Sequence, residues 1–166
     1  MIFELLEDPA YRHVLLNHLP ITGLMISFAV LVTGAALRQS ALLRVGLVLV
    51  ALTAGSSGLV EMTGDDAHPA IFDRLDGDGR AWLDYHTELA DTWLPVLYAN
   101  AGLAALALGL GLARPQYLLS AALVVALMTV AGIGTAAWIG EVGGKIKHPE
   151  FRLEDPPVLD SPRRLR

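Results

Sequence analysis

The sequence predicts an all-α integral membrane protein, a four-helix bundle running up-down-up-down. Three observations carry that expectation. Four apolar stretches, at about 17–37, 40–60, 93–113 and 116–138, each approach the ~20 residues that cross a ~30 Å hydrocarbon core. The chain is 54% hydrophobic and only 17% charged, too apolar for an ordinary soluble domain. Its charges also divide unevenly. With an even number of crossings, all five histidines and all 17 acids fall on one side, and Arg38, Arg44 and Arg114 lie at the other.

The helices are expected at about 14–37, 40–62, 83–113 and 116–142, with 1–144 as the transmembrane domain. Before helix one, Ile2, Phe3, Leu5 and Leu6 suggest a short interfacial lead-in, and Asp8-Pro9 suits a helix start. Pro20 either begins the membrane helix proper or kinks one begun at Pro9. Short turns near Arg38–Ser40 and Ala113–Gln116 make the joined helices antiparallel neighbours. Between helices two and three, the acidic stretch Thr63–Ala81 reads as a connection. Its Asp76-Gly77-Asp78-Gly79 run lacks the spacing and terminal Glu of an EF-hand, so a turn is expected there and calcium is the lesser reading. Small residues such as Gly55, Gly58, Gly132 and Gly140 would let helix backbones approach closely where lipid offers no hydrophobic drive. The tail 145–166, charged and rich in proline, is expected on the surface or against a partner.

The absence of cysteine excludes disulfides, thiolate metal sites and thioether-linked haem. Nothing basic clusters as a nucleic-acid site would require. The acidic first residues, Glu4, Glu7 and Asp8, do not resemble a signal peptide. Ser56 and Ser57 have no histidine at their depth and make poor nucleophiles. A bacterial inner membrane is the expected location. Arg12, Arg74, Arg80, Lys145 and Lys147 favour a cytoplasmic histidine end. The acidic segment before helix one and the arginine-only turns favour the outward orientation, which is the one expected here.

Counting helix rises from the two tight turns places His18, Glu61, Asp91 and Glu141 at one end of the bundle, with His13, His86 and Glu88 just above. Helix three cannot turn all its groups inward. Asp84, Glu88 and Asp91 share one face, while His86, Trp93 and Asn100 share nearly the opposite one. Trp93 and Trp138 suit interface anchors. Histidines and carboxylates at a bundle end can bind a non-haem transition metal, and the candidates are His18, Glu61, His86, Asp91 and Glu88. Two histidines can instead clamp haem b, drawing on His18, His86 and His13; His13 with His86 is the pair best matched in depth. A proton path through His18 and Glu61 is a third possibility.

Simpler explanations stand beside these. Titratable groups at an interface are readily solvated, and that reading is preferred for the loop and tail acids, His68 and His148. Thr53, Ser56 and Ser57 can bond their own helix backbone. Asn100, deeper in its span, is expected to bond a neighbouring helix.

The stretch LLNHLPITG (Leu15–Gly23), with TGDDAH (Thr63–His68) and DYHTELAD (Asp84–Asp91), resembles a family of small uncharacterised four-helix bacterial membrane proteins. That family has an Asn-His-x-Pro motif on helix one, a Thr-Gly-acid run after helix two and a His-acid segment opening helix three. The matching positions are Asn17, His18, Pro20, Thr63, Gly64, Asp65 and His86; Thr87 intervenes here before Glu88. The resemblance covers most of 13–110 and implies a fold with little chemistry.

Three functions therefore follow from the sequence. The first is a protein that binds haem b or a non-haem metal and serves electron transfer. The second is a structural or assembly subunit of a larger membrane complex, without a cofactor. The third is a small proton- or ion-coupled transporter, disfavoured because no charged residue lies mid-span.

Overall fold

The structure is a computed structural model and describes residues 6–159. Ile2, Phe3 and Leu5 of the expected lead-in lie outside the described residues, as does Pro162 of the tail.

Four helical segments are each long and apolar enough to cross a membrane, and no strand occurs among the described residues. Helix α1 spans Pro9–Ala36. Asp8 caps it, its Oδ1 accepting from the N–H groups of Ala10 (2.8 Å) and Tyr11 (3.0 Å). Pro9 occupies the first turn, where its missing N–H has no cost. Pro20 therefore sits inside a helix already under way, buried. At the far end, the Gln39 N–H reaches back to the Gly34 carbonyl (2.9 Å), with Arg38 in the left-handed region at φ 52°.

Helices α2 (Ser40–Gly55) and α3 (Ser57–Phe72) are nearly one rod, interrupted only at Ser56. There the Ser56 hydroxyl donates to the Thr53 carbonyl (2.7 Å), and Thr53 donates to that of Leu49 (2.7 Å). This rod corrects the sequence reading: most of the polar stretch expected as a connection is helix. Ala67 and Ile71 supply a buried stripe beyond the apolar span, while Asp65 and Asp66 lie off it. Only 73–76 remain as a turn.

Helix α4 runs Gly77–Ala113 over 37 residues, about 55 Å of rod. Asp76 caps it by accepting from the Gly79 N–H (2.6 Å), which gives the Asp-Gly run a structural role. A 3₁₀ turn, Pro115–Tyr117, leads into α5 (Leu118–Lys147). Helix α5 continues past its expected end, so the first part of the presumed tail belongs to the fold. Lys145 is only 8% exposed, its ammonium over the Trp82 ring at 4.6 Å. Beyond a second 3₁₀ turn, Pro149–Phe151, the chain folds back. Arg152 grips Asp76 with Nη1 (2.9 and 3.1 Å) and also donates to the Lys145 and Ile146 carbonyls.

α1 packs on α2, α3 and α5, and α4 packs on α2, α5 and more lightly on α3. α1 and α4 thus face each other from opposite corners. The main core includes Leu24, Leu31, Leu47, Val50, Leu97 and Val125, and a smaller cluster around Trp82, Val142 and Ile146 packs near the histidine end. Ile26, Leu52, Leu106 and Leu127 are among the large apolar side chains left on the outside. Asn100 is fully buried and hydrogen-bonds Thr129 on the neighbouring helix α5 (3.4 Å), as expected from the sequence.

Close helix approach is testable at one glycine against another. A Cβ at Gly34 would lie 3.0 Å from both Leu42 Cβ and the Leu43 backbone nitrogen, whereas one at Gly102 meets nothing within 4 Å. Gly34→Ala is expected to destabilise by about 1–3 kcal/mol. Gly102→Ala should be neutral or stabilising by up to about 1 kcal/mol. Thermal unfolding midpoints in detergent distinguish the two; equal shifts would contradict the packing.

The Arg152 guanidinium beside Asp76, together with the Gly79 N–H, holds the Asp76 carboxyl below its ordinary value. Because the folded-state value is the lower one, this contact stabilises above the ordinary carboxyl range and is lost as pH falls through the folded value. Asp76→Asn should lower the neutral-pH melting temperature and weaken its acid dependence below about pH 4. Parallel acid profiles for the two proteins would rule the latch out as a contributor.

Candidate functional site

A cavity of about 660 Å³ opens among α1, α3, α4 and α5 at the histidine end. Two imidazoles define it. His13, on α1, sits with Nδ1 3.0 Å from the Val60 carbonyl of α3. His86, on α4, sits with Nδ1 3.1 Å from the Ile139 carbonyl of α5. A carbonyl only accepts, so each Nδ1 carries the proton and each Nε2 holds the lone pair. The ring centroids are 6.2 Å apart and the planes nearly perpendicular, at 85°.

A glycine stands behind each ring. A Cβ on Gly64 would come within 3.0 Å of His13 Cε1, and one on Gly143 within 3.1 Å of His86 Cε1. Real Cβ contacts are seldom so short, so a side chain at either glycine would displace the imidazole it backs.

On α4 neither expected face turns inward whole: Trp93, from the histidine face, is 40% exposed, and Asp84, from the acidic face, is partly buried against His68. His86 and Asn100 point into the molecule, while Glu88 and Asp91 are exposed. Asp91 still borders the cavity, as do Glu61 and Asn17; Glu88 does not. Glu61 accepts a hydrogen bond from the Tyr98 hydroxyl of α4. His18 is not brought to the site. It is exposed, outside the cavity lining, with Nδ1 2.8 Å from the Val14 carbonyl of its own helix. Five helical residues turn the chain by about 140° relative to His13, so similar depth does not mean a shared face. Among the described residues, no group of three or more His, Asp or Glu could hold a metal ion. The proposed set of His18, Glu61, His86, Asp91 and Glu88 is therefore not assembled. Trp93 and Trp138 meet on the outside, centroids 5.9 Å apart and each about 40% exposed.

Sequence reasoning passed over His68 because its segment read as a solvated loop. On α3 its side chain is only 11% exposed. Its Nε2 lies 3.4 Å from Asp84 Oδ1 and its ring stacks on Phe72. Its Nδ1 is buried with no hydrogen-bond partner, and the residue lines the cavity. The missed signal was periodicity: His68 follows Glu61 by seven residues, so a continuing helix returns it to nearly the same face. Asn17 Oδ1 and the Ser57 hydroxyl are also buried, unpartnered and in residues lining this cavity. The Val60 and Ile139 carbonyls and the two glycines escaped notice because backbone groups leave no motif.

In comparisons with known proteins, the chain matches no family model, no curated protein and no solved structure.

Proposed function

We propose that this protein is a multi-pass membrane protein, an up-down-up-down bundle, that holds haem b between His13 and His86 and serves in electron transfer. The observation that carries this reading is the pair itself: two imidazoles from opposite corners, each with Nδ1 on a carbonyl and glycine behind the ring. A carbonyl acceptor at Nδ1 orients a ligating imidazole and raises the basicity of its other nitrogen.

The spacing fits the group. Imidazole nitrogens bind metals at about 2 Å, so two rings sharing one iron through Nε2 would have centroids up to roughly 6 Å apart once the ring radii are added. The measured 6.2 Å agrees with that separation. The cavity volume suits a cofactor of this size. Two protein ligands suffice for haem, because the porphyrin supplies the remaining nitrogens. A non-haem metal ordinarily needs three or more protein ligands, which favours haem over the non-haem alternative. When bound, haem supplies a one-electron iron couple. The protein's part is to hold both Nε2 lone pairs in place and to surround them with a mainly apolar wall that excludes water.

The location proposed is a bacterial inner membrane, with the histidine end outward and the Arg38 and Arg114 turns cytoplasmic. A reporter fused to the C-terminus should then be active only outside the cytoplasm.

The deciding experiment is an absorption spectrum of the detergent-purified protein, oxidised and then reduced with dithionite. A low-spin spectrum that sharpens on reduction is expected. His13→Ala and His86→Ala should each remove it, and His18→Ala should leave it intact. Retention of the spectrum in both of the first two variants overturns the assignment. A featureless spectrum after haem reconstitution removes haem and returns the reading to a subunit without a cofactor.

A further inference from the structure

The cavity is polarised along its length. Past His13 and His86, toward the interior, its walls include the apolar Pro20, Ile21, Leu94, Leu97 and Ala136, together with the polar Asn17 and Ser57. The carboxylates that border it, Glu61, Asp65 and Asp91, come before His68 on α3 or beyond His86 on α4, on the inner side of the opening. At the opening itself stand His68, Lys147 and His148. Among these, His68 is the built element: Asp84 holds one ring nitrogen, Phe72 supports the ring, and the other nitrogen is buried without a partner. Such a buried nitrogen is costly unless a ligand supplies the missing bond.

We infer that His68, with Lys147 also lining that end, anchors the carboxylate side chains of the haem at the open end, so that the porphyrin enters with its apolar edge toward Leu94 and Leu97. The inference rests on the haem reading and adds an orientation and an anchoring residue to it. Haem is amphiphilic, with two propionates on one edge and only hydrocarbon on the opposite one. Inserting the propionates inward would bring them toward Glu61, Asp65 and Asp91, against like charge. Placed at the opening, a propionate that brings a second proton onto the ring would accept from His68 Nδ1 while Asp84 accepts from Nε2, and the Lys147 ammonium would add positive charge at the rim.

The test compares haemin with haemin dimethyl ester, titrated into the full-length apoprotein in detergent and followed by the Soret band. The ester keeps the iron and the ring and loses the anionic oxygens. Wild type should bind the free acid about tenfold or more tightly than the ester, as for a charge-assisted hydrogen bond. His68→Leu should weaken the free acid by a similar factor and leave ester affinity unchanged, with the low-spin spectrum intact in both. Equal wild-type affinities for acid and ester overturn the inference without any variant being needed. So does a His68→Leu effect of the same size on both ligands. If neither ligand gives a low-spin spectrum in wild type, the haem reading itself fails and this inference falls with it.

Discussion

The approach of two imidazoles toward the molecular axis requires that helix backbone, with no side chain, stand behind each ring. Gly64 backs His13 and Gly143 backs His86, each within about a contact distance that leaves no room for a methyl group. The same two helices, α3 and α5, also supply the carbonyls that accept from the rings, at Val60 and Ile139. Those acceptors each lie one helical turn before the backing glycine, on the same face. One helix face therefore provides both the space for the ring and the bond that fixes its tautomer. This local device is used twice, once on each side of the cavity, and the shape of the cavity follows from it.

Away from this end, the molecule is held together by close packing of helix on helix. Small residues bring the helices close: a Cβ at Gly46 would strike Leu31, and one at Gly23 would strike Thr53. The few deep polar groups are paired across helices or with their own backbone, as Asn100 is with Thr129 and Ser27 with the Gly23 carbonyl. That satisfaction matters because a buried, unpaired polar group has no water to turn to. Buried side-chain atoms without a hydrogen-bond partner occur at Asn17, Ser57 and His68, whose residues line the cavity, and at Arg12, Arg44 and Trp82, whose residues do not.

The folded-back C-terminal segment is fastened at the histidine end through a compact set of charged contacts. Arg152 joins the cap of α4 to the last carbonyls of α5, and Lys145 reaches Glu141 and Glu154 while covering Trp82. Carbonyls at a helix C-terminus are unsatisfied and attract cations. Arg152 therefore satisfies α5 and pairs Asp76 at once. The sequence presented these residues as a charged, proline-rich tail, and nothing in that composition distinguishes a latch from a solvated strand.

How far the sequence alone reached follows from the range of the forces involved. Length, hydropathy and charge asymmetry are properties of segments, and they yielded the four long apolar helices and the gathering of histidines at one end. The depth match of His13 with His86 was legible for the same reason, since it needs only the helix rise. Facing was harder, because it depends on which neighbour each helix meets. His18 shares the depth of the site and turns away from it; His68 looked solvated and is enclosed. The continuation of α3 to Phe72 was missed because polar residues outside an apolar span read as loop, although Ala67 and Ile71 bury a stripe there. Only the tertiary structure decided that His86 of α4 points inward, that two glycines make room for two rings, and which backbone carbonyls hold them. Those outcomes depend on contacts between helices far apart in the chain, which local sequence pattern does not encode.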